Sequence, residues 1–336
     1  MAELFDEYQG WPEGLENLHA TELATRLDRP ALIYIPGARD PALFVSTLLH
    51  GNEVSGWDAV RALVGGRSII LPRSMIIFIG NVGAAAKGVR HLPDEPDYNR
   101  IWNGGHSLEE RMAAEVLETV SRHELFAAVD LHNNTGHNPH YAVITDARPQ
   151  TLGLARTFNH LVVYTRAPET VQTLAFAHLA PALTVETGHA EDPKAADRAL
   201  VYLETLLASD IVPTGTTDDL ELYRSGVRVI VPDGGHFHFD EGPGLALRRD
   251  LEIFNFRTVA ANTTFANLNG DDARSLRVID EQHRDVTDEY FYYAGGEIKL
   301  KAAAIPAMYT TDPEIVAQDC LCYFMHSYDP AVDDCI

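Results

Sequence analysis

The sequence predicts an α/β fold, with a sheet covered by helices on both faces, followed by a smaller β-rich domain. Two observations predict it. Over the first 210 residues, short apolar runs alternate with segments whose apolar residues recur at helical spacing. After Ile211, Gly and Asp become frequent and only short strands are expected. We therefore place one domain over residues 1–210 and a second, β-rich domain over residues 211–336.

The strands of the first domain are predicted from apolar runs. The run Leu43–Leu49 is almost continuously apolar, as expected of a strand buried on both faces. Further strands are predicted at residues 32–35, 74–80, 127–132, 161–164 and 182–186. In the second domain, residues 227–231 and 297–301 have the same character, and Cys320–Phe324 is predicted as a terminal strand.

Helices are predicted between these strands. Leu108–His123 has apolar residues at helical spacing, acidic residues early and basic residues late, an order that suits the helix dipole. Further helices are predicted at residues 56–63, 152–159 and 193–209.

Charge and composition exclude several classes of function. The chain has 336 residues and a formal charge of −23, from 26 Lys and Arg against 49 Asp and Glu. Such a surface repels phosphate backbones, so we expect no nucleic-acid partner. No apolar run approaches the roughly 20 residues needed to cross a bilayer, so we expect no membrane partner.

The ends of the chain indicate the compartment. The acidic start Met1–Glu7 is unlike a secretory signal, which predicts a cytoplasmic protein. Cys320, Cys322 and Cys335 are an odd, clustered set that forms no disulfide framework, as suits a reducing compartment. We interpret Cys320 and Cys322 as buried thiols rather than metal ligands.

A histidine and a glutamate directly follow the buried strand 43–49. In open α/β sheets, ligands bind at the carboxyl ends of the strands. His50 and Glu53 lie three residues apart in a tight turn, so both can aim at one point, and Gly51 permits unusual backbone angles there. Imidazole nitrogen and carboxylate oxygen together suit Zn²⁺. His-x-x-Glu alone is also compatible with a structural histidine.

Two other strand ends carry chemistry. His132 ends the strand 127–132 and supplies a third potential ligand. Asp130 points to the same side of that strand, where it either orients the ring of His132 or caps a turn. Glu186 ends an apolar strand, a costly place for a carboxylate without a task. A catalytic base explains this placement, and a surface salt bridge is the alternative.

The long connection after strand 74–80 contains Arg90, Asn99 and Arg100. The planar fork of arginine matches a carboxylate with two hydrogen bonds. In so acidic a chain, two arginines beside a metal site would form a local anion trap. Ordinary surface ion pairing is the alternative.

These motifs occur together in one family. His50-x-x-Glu53, Arg90, Asp97-Tyr98-Asn99-Arg100, Asp130-Leu131-His132 and Glu186 follow the order and spacing of the succinylglutamate desuccinylase/aspartoacylase family. The chain resembles this family over roughly residues 43–190. The resemblance implies a mixed sheet like that of the zinc carboxypeptidases, with the C-terminal domain roofing the active site.

The resemblance also implies the role of each residue. His50, Glu53 and His132 would bind one Zn²⁺ per chain, and Glu186 would be the general base. Arg90 would stabilise the oxyanion, and Asn99 with Arg100 would hold the free carboxylate of a small anionic substrate. The implied reaction is hydrolysis of the amide bond of an N-acyl amino acid.

The chain departs from the family at two positions. Phe176 stands where some aspartoacylases carry a further substrate-binding arginine, and Tyr309 lies near, but out of register with, their C-terminal substrate tyrosine. Both departures argue against N-acetylaspartate as the substrate. His137 and His140 are interpreted as loop structure, and metal binding by His236 and His238 is disfavoured because the ligand set is already complete.

Two other functions compete with deacylation. The same residues would serve a zinc carboxypeptidase that acts on short peptides, although a domain roofing the site would exclude long ones. A non-catalytic metal- or ligand-binding protein is the other alternative, but it would need neither Glu186 nor Arg90. The acyl group, the amino acid and homo-oligomer formation stay open.

Overall fold

The computed structural model describes residues 4–65, 70–232, 234–239, 242–269 and 276–330. They form two compact units. The first contains the chain up to Asn133 and then His140–Leu222, and the second contains Asn134–Pro139 and the chain from Tyr223. The boundary near residue 211 and the roofing role of the C-terminal part stay predictions. Within the described ranges, no helix has the length and apolar character needed to span a membrane.

A mixed sheet organises the first unit, as predicted. Its strands are β1 (Asp6–Gln9), β2 (Ala31–Ile35), β3 (Ala42–Thr47), β4 (Met75–Ile79), β5 (Leu125–Asn134), β6 (Tyr141–Ile144), β7 (Leu161–Tyr164) and β8 (Ala182–His189). They follow the order β1-β2-β4-β3-β5-β8-β6-β7. β3 is parallel to β4 and β5, whereas β6 is antiparallel to β8. β1 and β6 lie outside the predicted strands.

Helices connect these strands. They are α1 (Ser55–Val64), α2 (Val82–Lys87), α3 (Leu108–Val120), α4 (Pro149–Phe158), α5 (Gln172–Phe176) and α6 (Ala195–Ala208). Ser107 and Glu110 form a reciprocal capping box that begins α3. The helix ends at Val120, three residues before the predicted end. α2 was not predicted; Asn81 caps it by accepting a hydrogen bond from the Ala84 N–H at 2.8 Å.

The core of the first unit lies against β3, whose residues are all buried. Phe44 on β3 stacks on Phe176 of α5 with ring centroids 4.1 Å apart. Trp102 packs its ring edge against Phe78 and against Phe176. These aromatic contacts stabilise the sheet on the side where α5 and the connection after β4 lie.

The second unit is β-rich, as predicted. β9 (Glu221–Ile230) leads into it. It further contains β10 (Phe237–Phe239), β11 (Gly244–Leu247), β12 (Thr264–Asn269), β13 (Arg277–Asp280), α7 (Thr287–Tyr290), β14 (Phe291–Ala294), β15 (Glu297–Leu300), β16 (Ile305–Ala307), α8 (Pro313–Gln318) and β17 (Cys322–Ser327). One sheet has the order β10-β11-β12-β15-β14. β17 pairs with β9 and β16, and β13 with β9.

The last strand begins later than predicted. β17 starts at Cys322, so Cys320 lies before it, although both thiols are buried as expected. Cys335 lies outside the described residues. The rings of Phe291 and Phe324 pack on Phe265 at the centre of this unit's apolar core.

Candidate metal and catalytic site

A tight turn after β3 brings His50 and Glu53 to the same place. The predicted strand ran to Leu49, but β3 ends at Thr47 and Leu48 adopts a left-handed conformation with φ 56°. Gly51 is required by close packing rather than by an unusual φ. A Cβ there would lie 2.2 Å from the backbone nitrogen of Ala85 in α2, so only glycine fits.

His50, Glu53 and His132 converge on one point. His50 Nδ1 lies 2.8 Å from Glu53 Oε1, and His132 Nδ1 lies 2.8 Å from Glu53 Oε2. All three side chains are buried, with ligand atoms within 4.8 Å of one another. Among the described residues, this is the one group of three His, Cys, Asp or Glu side chains that could hold a metal ion.

The far side of each imidazole ring faces a carboxylate. His50 Nε2 lies 3.0 Å from Asp97 Oδ1, and His132 Nε2 lies 2.7 Å from Asp130 Oδ2. A carboxylate on the second ring nitrogen fixes the orientation and tautomer of a metal-binding histidine. Asp130 therefore contacts the His132 ring, as the orienting role requires, and not a turn. The role of Asp97 was missed; its place in the Asp-x-Asn-Arg motif was the only sequence signal.

The charges of this group are strongly coupled. Burial favours the neutral form of Glu53, but His50 and His132 outweigh it and hold the pKa of Glu53 well below its usual range. Burial likewise opposes a charge on His132, but Asp130 and Glu53 raise its pKa well above the ordinary value. Positive charge is thus favoured between these carboxylates. A divalent cation fits here: two Nδ1 atoms and one carboxylate face one another, and binding would release protons.

Glu186 on β8 is a buried carboxyl group with one free oxygen. Its Oε2 makes no hydrogen bond to any described residue. Burial raises its pKa to about 8, against the opposing charge of His132. A carboxyl group with a pKa near neutrality and an unoccupied oxygen can accept and return a proton.

Arg90 lies beside His50, Glu53 and His132, the candidate metal-binding group of this site. Its Nε and Nη2 donate to Asp97 Oδ2 at 3.0 and 2.8 Å. Its Nη1 lies 3.8 Å from Glu53 Oε1. Asp97 thus bridges Arg90 and His50, which ties the position of the guanidinium to that of the His50 ring.

Asn99 and Arg100 differ in their contacts. Asn99 Nδ2 lies 3.5 Å from His132 Nε2, and its Oδ1 accepts from the backbone N–H of Gln172 at 3.0 Å. Arg100 reaches this group through Asn99, since its Nη1 donates to the Asn99 backbone oxygen at 2.9 Å. No described carboxylate lies within ion-pair distance of Arg100, which leaves its charge available to an anion.

The remaining candidates have structural contacts. Phe176 is buried in the core, so no cation stands at that position. The Tyr309 hydroxyl donates to the Arg248 backbone oxygen at 2.7 Å in the second unit. His140 is half-buried with its ring edge against Phe158. His236 precedes β10 and His238 lies within it, and neither belongs to the metal-binding group described above.

Fold and site together define a chain with a helix-covered mixed sheet that carries a buried His-Glu-His group able to hold a metal ion. The profile of the succinylglutamate desuccinylase/aspartoacylase catalytic domain matches residues 39–209. The chain therefore belongs to this family of deacylases. No curated protein sequence matches it.

Solved structures share the fold. Succinylglutamate desuccinylase from Chromobacterium violaceum is similar with 18% identity and a TM-score of 0.56, covering 87% of this chain and 86% of that chain. A succinylglutamate desuccinylase/aspartoacylase from Rhodobacter sphaeroides has 14% identity and a TM-score of 0.59, with 88% of each chain covered. Murine aminoacylase 3 has 15% identity and a TM-score of 0.55, and the match covers 87% of this chain and 97% of that chain.

Proposed function

We propose that this chain is a zinc-dependent hydrolase of the amide bond of N-acyl amino acids. The observation that carries the proposal is the presence of a carboxyl group and a guanidinium next to the candidate metal-binding group. A buried carboxyl group with a free oxygen, Glu186, and the guanidinium of Arg90 accompany His50, Glu53 and His132. A protein that only binds a ligand needs neither a base nor an oxyanion donor.

The ligand set favours zinc. Two imidazoles and one carboxylate, with a coordination position left for water or substrate, are typical of catalytic rather than structural zinc sites. When bound, zinc supplies Lewis acidity toward the scissile carbonyl and toward water.

The side chains then divide the reaction. Glu186 accepts a proton from the attacking water and returns it to the leaving amine as the carbon–nitrogen bond breaks. Arg90 stabilises the negative charge that develops on the carbonyl oxygen. The products are a carboxylate and a free amino acid.

Arg100 and Asn99 are the proposed holders of the substrate carboxylate. Arg100 has no described carboxylate within ion-pair distance, and an arginine–carboxylate pair is a strong, geometrically specific contact. Phe176 in the core leaves no cation at the position where some aspartoacylases bind an acidic side chain. We therefore propose an amino acid other than aspartate, or an acyl group without an acidic end.

A substrate screen tests this proposal. Zinc-loaded protein is assayed against N-acetyl, N-succinyl and N-formyl amino acids and against short peptides with a free C-terminus. We expect turnover of at least one N-acyl amino acid and slower cleavage of peptides. Faster cleavage of peptides would make the chain a carboxypeptidase instead.

Metal content is the companion measurement. We expect about one zinc per chain by elemental analysis, lost in His132→Ala and kept in His140→Ala, which removes a half-buried histidine outside the ligand set. Full activity of metal-free protein would refute the scheme.

A further inference from the structure

A buried row of polar side chains leads from the metal-binding group to α5. Asp130, which contacts His132, also lies 2.8 Å from Ser46 Oγ through its Oδ1. Ser46 Oγ in turn hydrogen-bonds with the side-chain amide of Gln172. All four side chains are buried, and polar groups buried at this density cost free energy unless each is paired.

Counting protons determines the direction of these hydrogen bonds. The Ser46 hydroxyl has one proton and donates it to the carboxylate oxygen Oδ1 of Asp130. The bond between Ser46 and Gln172 therefore needs a donor from the amide, which places Gln172 Nε2 toward Ser46. Oxygen and nitrogen of a side-chain amide are assigned from such partners.

This assignment also removes a costly group. With the opposite orientation, Gln172 Nε2 is buried without a hydrogen-bond partner among the described residues. Turning the amide leaves a carbonyl oxygen there, and buried oxygens without a partner are better tolerated than buried N–H groups.

The backbone of Gln172 contacts a second functional residue. Gln172 is the first residue of α5, where the N–H has no acceptor inside the helix. That N–H donates to Asn99 Oδ1 at 3.0 Å. One residue therefore contacts the ligand side of the site through its side chain and the substrate side through its backbone.

We propose that Gln172 is a positioning residue for both halves of the site. Its amide holds Ser46 and, through Ser46, keeps Asp130 aligned on the His132 ring, while its backbone N–H holds the side chain of Asn99. The inference rests on the proposed function, which assigns the metal to His132 and the substrate carboxylate to Asn99.

The proposed role of the Gln172 side chain is tested by the zinc affinity of metal-free protein, measured in competition with a chromophoric chelator. Gln172→Leu and Ser46→Ala should each weaken zinc binding about 10-fold, the usual effect of removing a group that supports a metal ligand. The double variant should lose little more zinc affinity than the single variant that binds zinc more weakly, since both substitutions act through Asp130.

Thr173→Val is the matched control. Thr173 is the next residue of α5, equally buried, and its Oγ1 lies 2.6 Å from Thr184 Oγ1 on β8. Thr173→Val loses a buried hydrogen bond of the same kind but leaves the contacts of Asp130 intact, so zinc affinity should stay unchanged.

The proposed role of the Gln172 backbone N–H is tested by comparing Gln172→Ala with Gln172→Pro. Val171 is extended, with φ −76° and ψ 149°, and proline is tolerated at the first position of a helix. The proline variant alone lacks the N–H that holds Asn99. We expect its KM to be about 10-fold above that of the alanine variant, with equal zinc affinity.

Each arm can overturn the proposal. Wild-type zinc affinity in folded Ser46→Ala or Gln172→Leu would refute the side-chain role, as would an equal loss in Thr173→Val. Equal KM values for the alanine and proline variants would refute the backbone role. If the wild type hydrolyses no N-acyl amino acid, the proposed function fails, while the zinc affinities still decide whether Gln172 and Ser46 support the ligand.

Discussion

The two units of the chain differ in the kind of polar side chain that they bury. The first buries five ionisable side chains around one point: His50, Glu53, Asp130, His132 and Glu186. Among the described residues of the second unit, no Asp, Glu, His, Lys or Arg is buried. Its buried polar side chains are neutral: Asn134, Asn255 and Thr310.

The difference shows where the chain accepts an energetic cost. Removing a charge from water costs several kcal/mol, which is only partly recovered by pairing. In the first unit, the five side chains that carry this cost around one point lie on or just after β3, β5 and β8. In the second, buried polar groups support the backbone: Asn255 accepts from the Tyr309 N–H and donates to the Tyr309 oxygen, both at 2.9 Å.

Burial of a charge does not by itself mark a site. Arg73 is almost fully buried in the first unit, yet its guanidinium donates to the backbone oxygens of Pro41 and Ser209 at 2.7 and 2.8 Å. It also lies 3.8 Å above the ring of Phe126. It thus joins the backbone before β3 to the backbone just beyond the end of α6, which is a structural role. Glu186 differs because one of its oxygens has no partner.

The largest expected effect is on Glu186. Glu186→Gln should lower kcat by about 10²–10⁴-fold with zinc content unchanged, because the amide cannot accept the proton. Single-turnover rates and elemental analysis measure this. Glu191→Gln, an exposed neighbour, is the control, and near-normal turnover of Glu186→Gln would remove the base from the scheme.

Arg100 should affect binding more than chemistry. Arg100→Ala would remove the proposed charge-assisted contact to the substrate carboxylate, worth about 1.5–3 kcal/mol, so we expect KM to rise about 10–100-fold with a smaller change in kcat. Arg111→Ala, on the exposed side of α3, controls for net charge. An unchanged KM would show that the substrate carboxylate binds elsewhere.

In the second unit, the prediction concerns stability alone. Asn255→Leu leaves two buried backbone groups of Tyr309 without partners and should lower the free energy of unfolding by about 2 kcal/mol. Tyr309→Phe should cost about 1 kcal/mol, since it loses only the bond to the Arg248 oxygen. Denaturant titration measures both. A changed KM in Tyr309→Phe would give the second unit a role in substrate binding and break the comparison.

A further expected effect is a pH dependence of stability in metal-free protein. Burial raises the pKa of Glu186 from an ordinary 4.5 to about 8, so the folded state keeps a proton that the unfolded chain has released. The free energy of unfolding should therefore fall as pH rises from about 4.5 to about 8.

Glu186→Gln isolates this contribution. Its stability relative to wild type should increase by more than about 1 kcal/mol between pH 5 and pH 8. A constant difference across this range would mean that the pKa of Glu186 is the same in the folded and unfolded states, so that burial does not raise it.

Much of the fold follows from local pattern. β2, β4, β7 and β8 coincide with predicted apolar runs to within a few residues, because strands buried on both faces are mainly apolar. α2 was missed because six residues of Gly, Ala, Val and Lys carry no amphipathic signal. β3 ends two residues before the predicted end because Leu48 adopts a left-handed backbone conformation, which the apolar run does not indicate.

The sequence by itself determined which residue types end the buried strands, and so it identified His50, Glu53, His132 and Glu186 as chemically capable groups. Only the tertiary structure decided how they are supported. Asp97 holds both His50 and Arg90, and Gln172 contacts Ser46 and Asn99, residues 126 and 73 positions away. The physical reason is reach: a hydrogen bond extends about 3 Å, and only packing of the folded chain brings such distant residues that close.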